Sequence, residues 1–224
     1  MYKDITISEL LDLKETIAAE LFEKFTYPWE VLPHIGNEIL KIGPTLPKDE
    51  YDLVGENVWI AKSAKVASSA SISGPAIIGK NAEIRHCAFI RGNAIIGEGA
   101  VVGNSTEIKN AILFNKVQVP HFNYVGDSVF GYRSHMGAGC ITSNVKSDKT
   151  LVRVDYHGER IDTGLKKFGA ILGDCVEVGC NTVLNPGVIV GRNVNIYPLS
   201  MVRGCIPACS IYKKAGEIVA KRMD

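Results

Sequence analysis

The chain has no run of about 18 apolar residues, the length a membrane-spanning helix needs. Its opening stretch, MYKDITISELLDLKE, carries acids where a secretory leader would carry a basic and then an apolar segment. A cytoplasmic protein is expected. Neither sign of charge is in excess, with 25 Lys and Arg against 24 Asp and Glu, so no global field draws in nucleic acid or an anionic membrane. Any anionic ligand must be held by local charges. The six cysteines (Cys87, Cys140, Cys175, Cys180, Cys205 and Cys209) form no CxxC pair and have no histidines at zinc-finger spacing. Reduced thiols with packing roles are expected, with a catalytic thiol as the alternative. What remains is 224 residues, 46% hydrophobic and 22% charged, enough for a substantial core in one or two domains.

What the sequence does have is a period. An aliphatic residue recurs every sixth position at Val54, Ile60, Val66, Ile72, Ile78, Ile84, Ile90, Ile96, Val102 and Ile108. Four residues after these anchors runs a second series, Ala64, Ala70, Ala76, Ala82, Ala88, Ala94, Ala100 and Thr106, all small or β-branched. A helix would repeat at three and four, and a two-faced strand at two. A strict six instead suits a triangular coil of short strands and corners, three hexapeptides to a turn, with the large anchor inside and the small residue where the chain turns inward. Glycines in IIGKNA, IIGEGA and VVGNST are read as relieving corners of positive φ. Stacked coils pair their backbones with the coils above and below. The fold expected is all-β, a left-handed parallel β-helix of hexapeptide repeats.

A second register holds Tyr124, Phe130, Met136 and Thr142, then Leu172, Val178, Leu184, Val190, Ile196 and Val202, in one frame. Between the registers, residues 114–123, FNKVQVPHFN, are out of phase. Residues 143–169 break the pattern and are read as an extruded loop, with a hairpin turning at His157-Gly158. Residues 8–25 place Leu10, Leu13, Ile17, Leu21 and Phe25 on one stripe, which predicts an amphipathic helix, and 28–47 should add a second short helix, the two together capping the first coil. The domain reading is therefore a short N-terminal helical cap over 1–53, a β-helix over 54–210, and a tail over 211–224 containing the hairpin IYKKAGEIV.

Polar residues fit for chemistry gather near the out-of-phase segment: Arg91, Lys109, His121, Asn123, Tyr124, Asp127, His135 and Asn144. Arg91 and Lys109 lie 18 apart, so they stack on one side of the prism. Two cations facing one way can hold a phosphate, or they are simply part of a solvated charge ladder. His121 can accept a proton from an amine near neutral pH, or serve only as structure. A zinc site of the γ-class carbonic anhydrase type would need three histidines, and His86, His121 and His135 supply the number without that family's close pair.

From Ile90 to Asn144, and onward through KKFGAILGDCVEVGCNTVLNPGVIVG, the sequence resembles the acetyltransferase domain of bacterial and archaeal bifunctional N-acetylglucosamine-1-phosphate uridylyltransferases, most closely their archaeal-like branch. HFNYVGDS and MGAGCITSN carry the resemblance. It implies an acetyl-CoA-dependent N-acetyltransferase of UDP-N-acetylglucosamine biosynthesis, assembled as a homotrimer and acting on glucosamine 1-phosphate or a related amino-sugar phosphate or nucleotide sugar. The resemblance makes His121 the general base and Arg91, Lys109, Tyr124 and Asn144 substrate contacts. Lys149 is the nearest match to a phosphate-binding loop lysine, and His135 stands where the family usually has Asn against the sugar. Acetyl-CoA would run past Ala138, Cys180, Tyr197 and Pro198, with Arg203 or Lys213 meeting its phosphates. No metal is implied. Nothing in 1–53 resembles the family's GxGTRM loop, so uridylyl transfer is expected to be missing. A β-helix that binds a sugar nucleotide without turning it over, and a zinc enzyme, are the two alternatives.

Overall fold

The computed structural model describes residues 2–222. Short strands wind into a left-handed parallel β-helix of three faces, each strand pairing in parallel with its counterparts in the coils before and after. One face stacks Ser71–Ile72, Phe89–Ile90, the first half of Glu107–Leu113, the start of Tyr124–Phe130, Ile141–Thr142, Val183–Leu184 and Met201–Val202. A second runs from Lys65–Val66 through Gln118–His121 and His135–Met136 to Ser210–Lys214. The third runs from Val58–Ala61 to Cys205–Ile206. From Ile78 to Val202 the aliphatic anchors of this stack are buried, each stabilising the fold by about 1.5–3 kcal/mol relative to exposure. The small positions at Ala76, Ala82, Ala88, Ala94, Ala100 and Thr106 are fully enclosed, as the period demands.

Of the glycines in these repeats Gly99 has the positive φ expected, at 62°, whereas those directly after the anchors serve a different purpose. Gly79 and Gly103 do not have positive φ; a Cβ on Gly103 would lie 1.6 Å from the carbonyl oxygen of Pro120, and one on Gly79 2.8 Å from Gly97. They let neighbouring coils approach. Positive φ falls instead on corner residues such as Asn81, Asn93, Asn181 and Asn193, where asparagine tolerates the left-handed region.

The phase slip has a local cause. Ile90 to Ile96 spans six residues around the corner between the first and third faces, whereas Ile108 to Leu113 and Val125 to Phe130 span five. One residue is omitted at the same corner in two stacked coils, leaving Asn110 and Asp127, both at positive φ, as single-residue turns. Val125, fully buried, is therefore the inward residue of its coil, and Tyr124, read as an anchor, points outward and is only half-buried.

The N-terminal segment is not the long helix expected over 8–25. It is broken into short turns, including Ile7–Leu10, Leu13–Glu15 and Ala19–Phe22, because Leu11 is extended and Asp12 caps the next turn through Lys14 N–H. Its buried residues follow the coil surface rather than one stripe, and Ile17 is exposed. The stretch after it does hold the second short helix expected, Ile35–Ile42, but this helix lies against the third face and does not cap the first coil. The segment runs as a strap along the third face, with Gly43 against Trp59 at one end and the Asp174 carboxylate at the other, where it accepts from Asp12 N–H (2.8 Å) and Tyr132 N–H (2.8 Å). Tyr51–Gly55 covers the edge of the first coil by pairing antiparallel with Val58–Ala61, so Val54 is exposed.

Residues 143–169 hold the expected hairpin, Arg153–Tyr156 with Glu159–Asp162, turning at His157 and Gly158, both at positive φ. The hairpin folds back onto the upper coils of its own chain: Val152 and Val154 are fully buried, and Gly187 meets the Arg153 carbonyl where a Cβ would be 2.7 Å away. Ser210–Lys214 and Glu217–Ala220 form the closing hairpin. No helix among the described residues is long and apolar enough to cross a membrane.

Candidate active site at the shortened corner

The doubled omission at Asn110 and Asp127 builds a buried polar cluster on the prism. Asp127 is almost wholly buried, and its carboxylate accepts from Asn110 Nδ2 at 2.9 Å and from Asn144 Nδ2. Lys109 Nζ lies 3.9 Å away. Asn144 also donates to the Tyr124 hydroxyl at 3.2 Å, and burial raises the phenol's pKa, so its proton stays available to a ligand. The Tyr124 ring lies over Gly126, where a Cβ would fall 2.5 Å from the phenol oxygen. Asn110 also donates to the Leu32 carbonyl at 3.3 Å, tying the strap to the site.

Arg91 and Lys109 are neighbours one ladder step apart on the first face, at the usual strand spacing of about 4.8 Å. Each already faces a carboxylate: Arg91 meets Glu107 at 2.6 Å, and Lys109 meets Asp127. The Arg91–Glu107 pair is substantially exposed and contributes little to stability, so it can open to an incoming phosphate at small cost. Lys109 is more enclosed, held at one side by the buried Asp127.

His121 sits across the neighbouring corner, at the end of Gln118–His121 on the second face, with its side chain exposed. The backbone there is fixed from inside. Asn123, buried where the repeat places alanine in earlier coils, accepts from His121 N–H at 3.1 Å and donates to the Gly137 carbonyl at 2.8 Å. Thr106 extends this network to the Val119 carbonyl.

Above His121 the same corner repeats coil by coil. Gly139 N–H donates to the His121 carbonyl (3.0 Å), Asn181 N–H to Ala138 (2.8 Å), and Leu199 N–H to Cys180 (2.9 Å), so His121, Ala138, Cys180 and Pro198 form one straight column. Tyr197 stands one residue before it and is exposed. Arg203 does not belong to this column. It lies at the far edge of the first face, lining a cavity with Lys146 and the loop hairpin.

Two other expected residues stand apart from the shortened corner. His135 is on the second face, its Nδ1 2.8 Å from Glu177, and is not brought to Tyr124 or Asn144 within the chain. Lys149 occupies an exposed turn at positive φ; the loop lysine that faces the cavity is Lys146. His86 pairs with Ser69, and no group of three His, Cys, Asp or Glu residues arranged for a metal occurs among the described residues. Sequence reasoning missed Asn110 and gave Asp127 no role. The signal was the distance from Ile108 to Phe130, 22 residues where four sixes would give 24.

Residues 72–179 match a family model described as the GMPPB C-terminal domain. The chain is 36% identical over 122 residues to the bifunctional protein GlmU of Methanococcus maripaludis, covering 54% of this chain and 29% of that protein. It is 38% identical over 98 residues to a bifunctional sugar-1-phosphate nucleotidylyltransferase/acetyltransferase of Sulfurisphaera tokodaii, covering 44% and 24% respectively. The chain thus aligns with less than a third of the length of these relatives. Among solved structures, a mutant of AntD, an N-acyltransferase from Bacillus cereus in complex with dTDP and coenzyme A, aligns over 75% of this chain and 82% of that one at 20% identity and a TM-score of 0.37.

Proposed function

We propose that this chain is an acetyl-CoA-dependent N-acetyltransferase of an amino-sugar phosphate or nucleotide amino sugar, with glucosamine 1-phosphate as the reference substrate. It acts as a cytoplasmic homotrimer. The observation that carries the reading is the column of His121, Ala138, Cys180 and Pro198, an open corner whose first member is a base and whose further members are small or flat. A pantetheine chain laid along such a column brings its thioester to the imidazole. Acetyl transfer then needs a neutral amine beside the thioester, and His121 takes the proton as nitrogen attacks the acetyl carbon and the thiolate departs.

The sugar's phosphate is held by Arg91 and Lys109, with Tyr124 and Asn144 contacting the sugar. Within one chain these residues and His121 occupy opposite sides of a corner, so a neighbouring copy that closes the gap is part of the proposal. The likeness to proteins named as bifunctional sugar-1-phosphate nucleotidylyltransferase/acetyltransferase supports the substrate class.

The test is release of free thiol from acetyl-CoA across a panel of amino-sugar phosphates and nucleotide amino sugars. Amine-dependent release supports the reading. Tight sugar-nucleotide binding with no release from any amine replaces it with the silent binder, and stoichiometric tightly bound zinc would favour the third reading.

A further inference from the structure

Asp127 lies at the centre of the shortened corner and touches no ligand in the proposed reaction, yet both its carboxylate oxygens are taken. Oδ1 accepts from Asn110 Nδ2 at 2.9 Å and Oδ2 accepts from Asn144 Nδ2. At 5% exposure the residue depends on these two amides to satisfy it. Lys109 Nζ, 3.9 Å away, supplies charge at a distance too long for a hydrogen bond.

A carboxylate offers acceptors only, so each amide must turn its nitrogen toward it. That choice fixes the direction of every bond beyond. The second N–H of Asn110 goes to the Leu32 carbonyl at 3.3 Å, and the second N–H of Asn144 goes to the Tyr124 hydroxyl at 3.2 Å. Gly126 leaves the space in which Asn144 and Tyr124 meet, since a Cβ there would stand 2.5 Å from the phenol oxygen and 2.9 Å from Asn144 Nδ2. The Tyr124 oxygen therefore accepts, and its own proton has no acceptor among the described residues. The phenol oxygen lies over Gly126, whose ladder partner is Lys109, so the free O–H and the ammonium share one side of the prism.

We propose that Asp127 is the positioning residue of this corner, which through Asn144 makes Tyr124 a hydrogen-bond donor to an oxygen of the bound sugar phosphate. The inference rests on the proposed binding of a sugar phosphate here, but not on acetyl transfer. Its consequence is a directional switch that depends on one atom. Asparagine at 127 would still accept from Asn110, which Leu32 holds in place, but would present an N–H to Asn144. Asn144 must then turn its amide over, and the oxygen that replaces its nitrogen takes the Tyr124 proton. The phenol is left with nothing to donate to a ligand.

The experiment is calorimetric titration of the full chain with glucosamine 1-phosphate, run as a double-mutant cycle. Asp127→Asn keeps the size of the buried side chain and should weaken affinity about 10- to 100-fold, and Tyr124→Phe should cost a similar factor. In the Tyr124→Phe background, Asp127→Asn should change affinity by no more than about threefold, because the proton it redirects is already gone. Should Asp127→Asn fail to fold, Asn110→Gly loosens the same carboxylate from its far side and suits the positive φ of that turn. It should weaken affinity about threefold or more in the wild-type background and leave Tyr124→Phe unchanged. Equal losses in the two backgrounds make Asp127 a merely structural residue and overturn the proposal. Unchanged affinity in Asp127→Asn, or no binding by the wild type at millimolar concentration, overturns it too. Failure of every amine in the thiol-release assay while the coupling is present removes the acetyltransferase reading and leaves this inference standing, and turnover with additive losses does the reverse.

Discussion

Asn123 fills an inward position that alanine fills in the earlier coils, and a buried amide is tolerated there only because both its ends are satisfied, by His121 N–H and by the Gly137 carbonyl. It fixes the corner from which the imidazole projects. Asn123→Ala strands both partners, so the midpoint of thermal unfolding should fall by an amount corresponding to about 1–3 kcal/mol. Turnover should fall about tenfold or more while KM for the sugar holds, since Asn123 touches no ligand. His121→Ala should lower kcat by about 10² to 10⁴ with no change in unfolding midpoint, because its side chain is exposed and the proton moves mainly in the transition state. Arg91→Ala and Lys109→Ala should chiefly raise KM for the phosphorylated sugar, by about 1.5–3 kcal/mol each. Lys109→Ala should also cost some stability, because it removes the cation nearest the buried Asp127. If His121→Ala turns over the best amine at the wild-type rate, the assignment of the base is wrong whatever the fold.

At the scale of elements, the corner column makes a prediction that needs no turnover. Burial pushes the Cys140 thiol up to about 11 and Cys205 up to about 12, so neither forms thiolate near neutrality, whereas Cys87 and Cys180 are exposed. A maleimide at pH 7 should label Cys87 and Cys180 and spare Cys140 and Cys205, as read by peptide mass mapping. Desulfo-coenzyme A should protect Cys180 and not Cys87, and equal labelling of Cys180 with and without it would remove the co-substrate from the column. The regular coils were legible in the sequence because the anchors from Ile78 to Ile108 each stack on an aliphatic residue of the next coil, so a single local rule repeats. The shortened corner was only half legible. Tyr124 keeps the six-residue spacing to Phe130 by coincidence, and a period alone does not reveal that Val125 is the one that turns in. The strap was misread for a related reason. Leu10, Leu13, Ile17 and Leu21 do carry helical spacing, but the partner that decides their conformation is the coil surface, through Asp174 and the Asn115 amide that donates to the Glu15 carbonyl at 2.9 Å. His135 and Arg203 were assigned by resemblance to other chains, which carries positions in the alignment but not the neighbours each has in this chain, Glu177 and the loop hairpin.

Taken whole, the prism is shielded unequally. The strap lies along the third face and the hairpin closes its upper corner, while the corner between the first and second faces stays bare and exposes several large apolar side chains. Phe122 and Leu199 stand on that corner at 63% and 80% exposure, and Phe89, Ile141 and Met201 project beside it from one ladder, with Glu107 and Tyr124 between the first two and Val183 between the last two. An exposed group of large apolar side chains on one corner is the surface that the proposed assembly would cover. Covering it with the same surface of one other copy would make a closed dimer and bury the His121 column. Covering it with a different face of the next copy would leave a groove along the column, and a ring closed after three steps is the arrangement the proposed reaction requires. Light scattering at micromolar concentration should therefore return about three times 24.3 kDa. Leu199→Glu combined with Met201→Glu places two carboxylates on that surface without touching the buried core, so the mass should fall toward one chain and the circular dichroism should not change. If His121 works only in a groove between copies, thiol release should fall in proportion to the trimer lost and return when concentration drives reassembly. A wild-type chain that is monomeric at micromolar concentration and fully active would place the entire reaction on one prism, and the column would then have to receive the amine from its own first face, across Phe122.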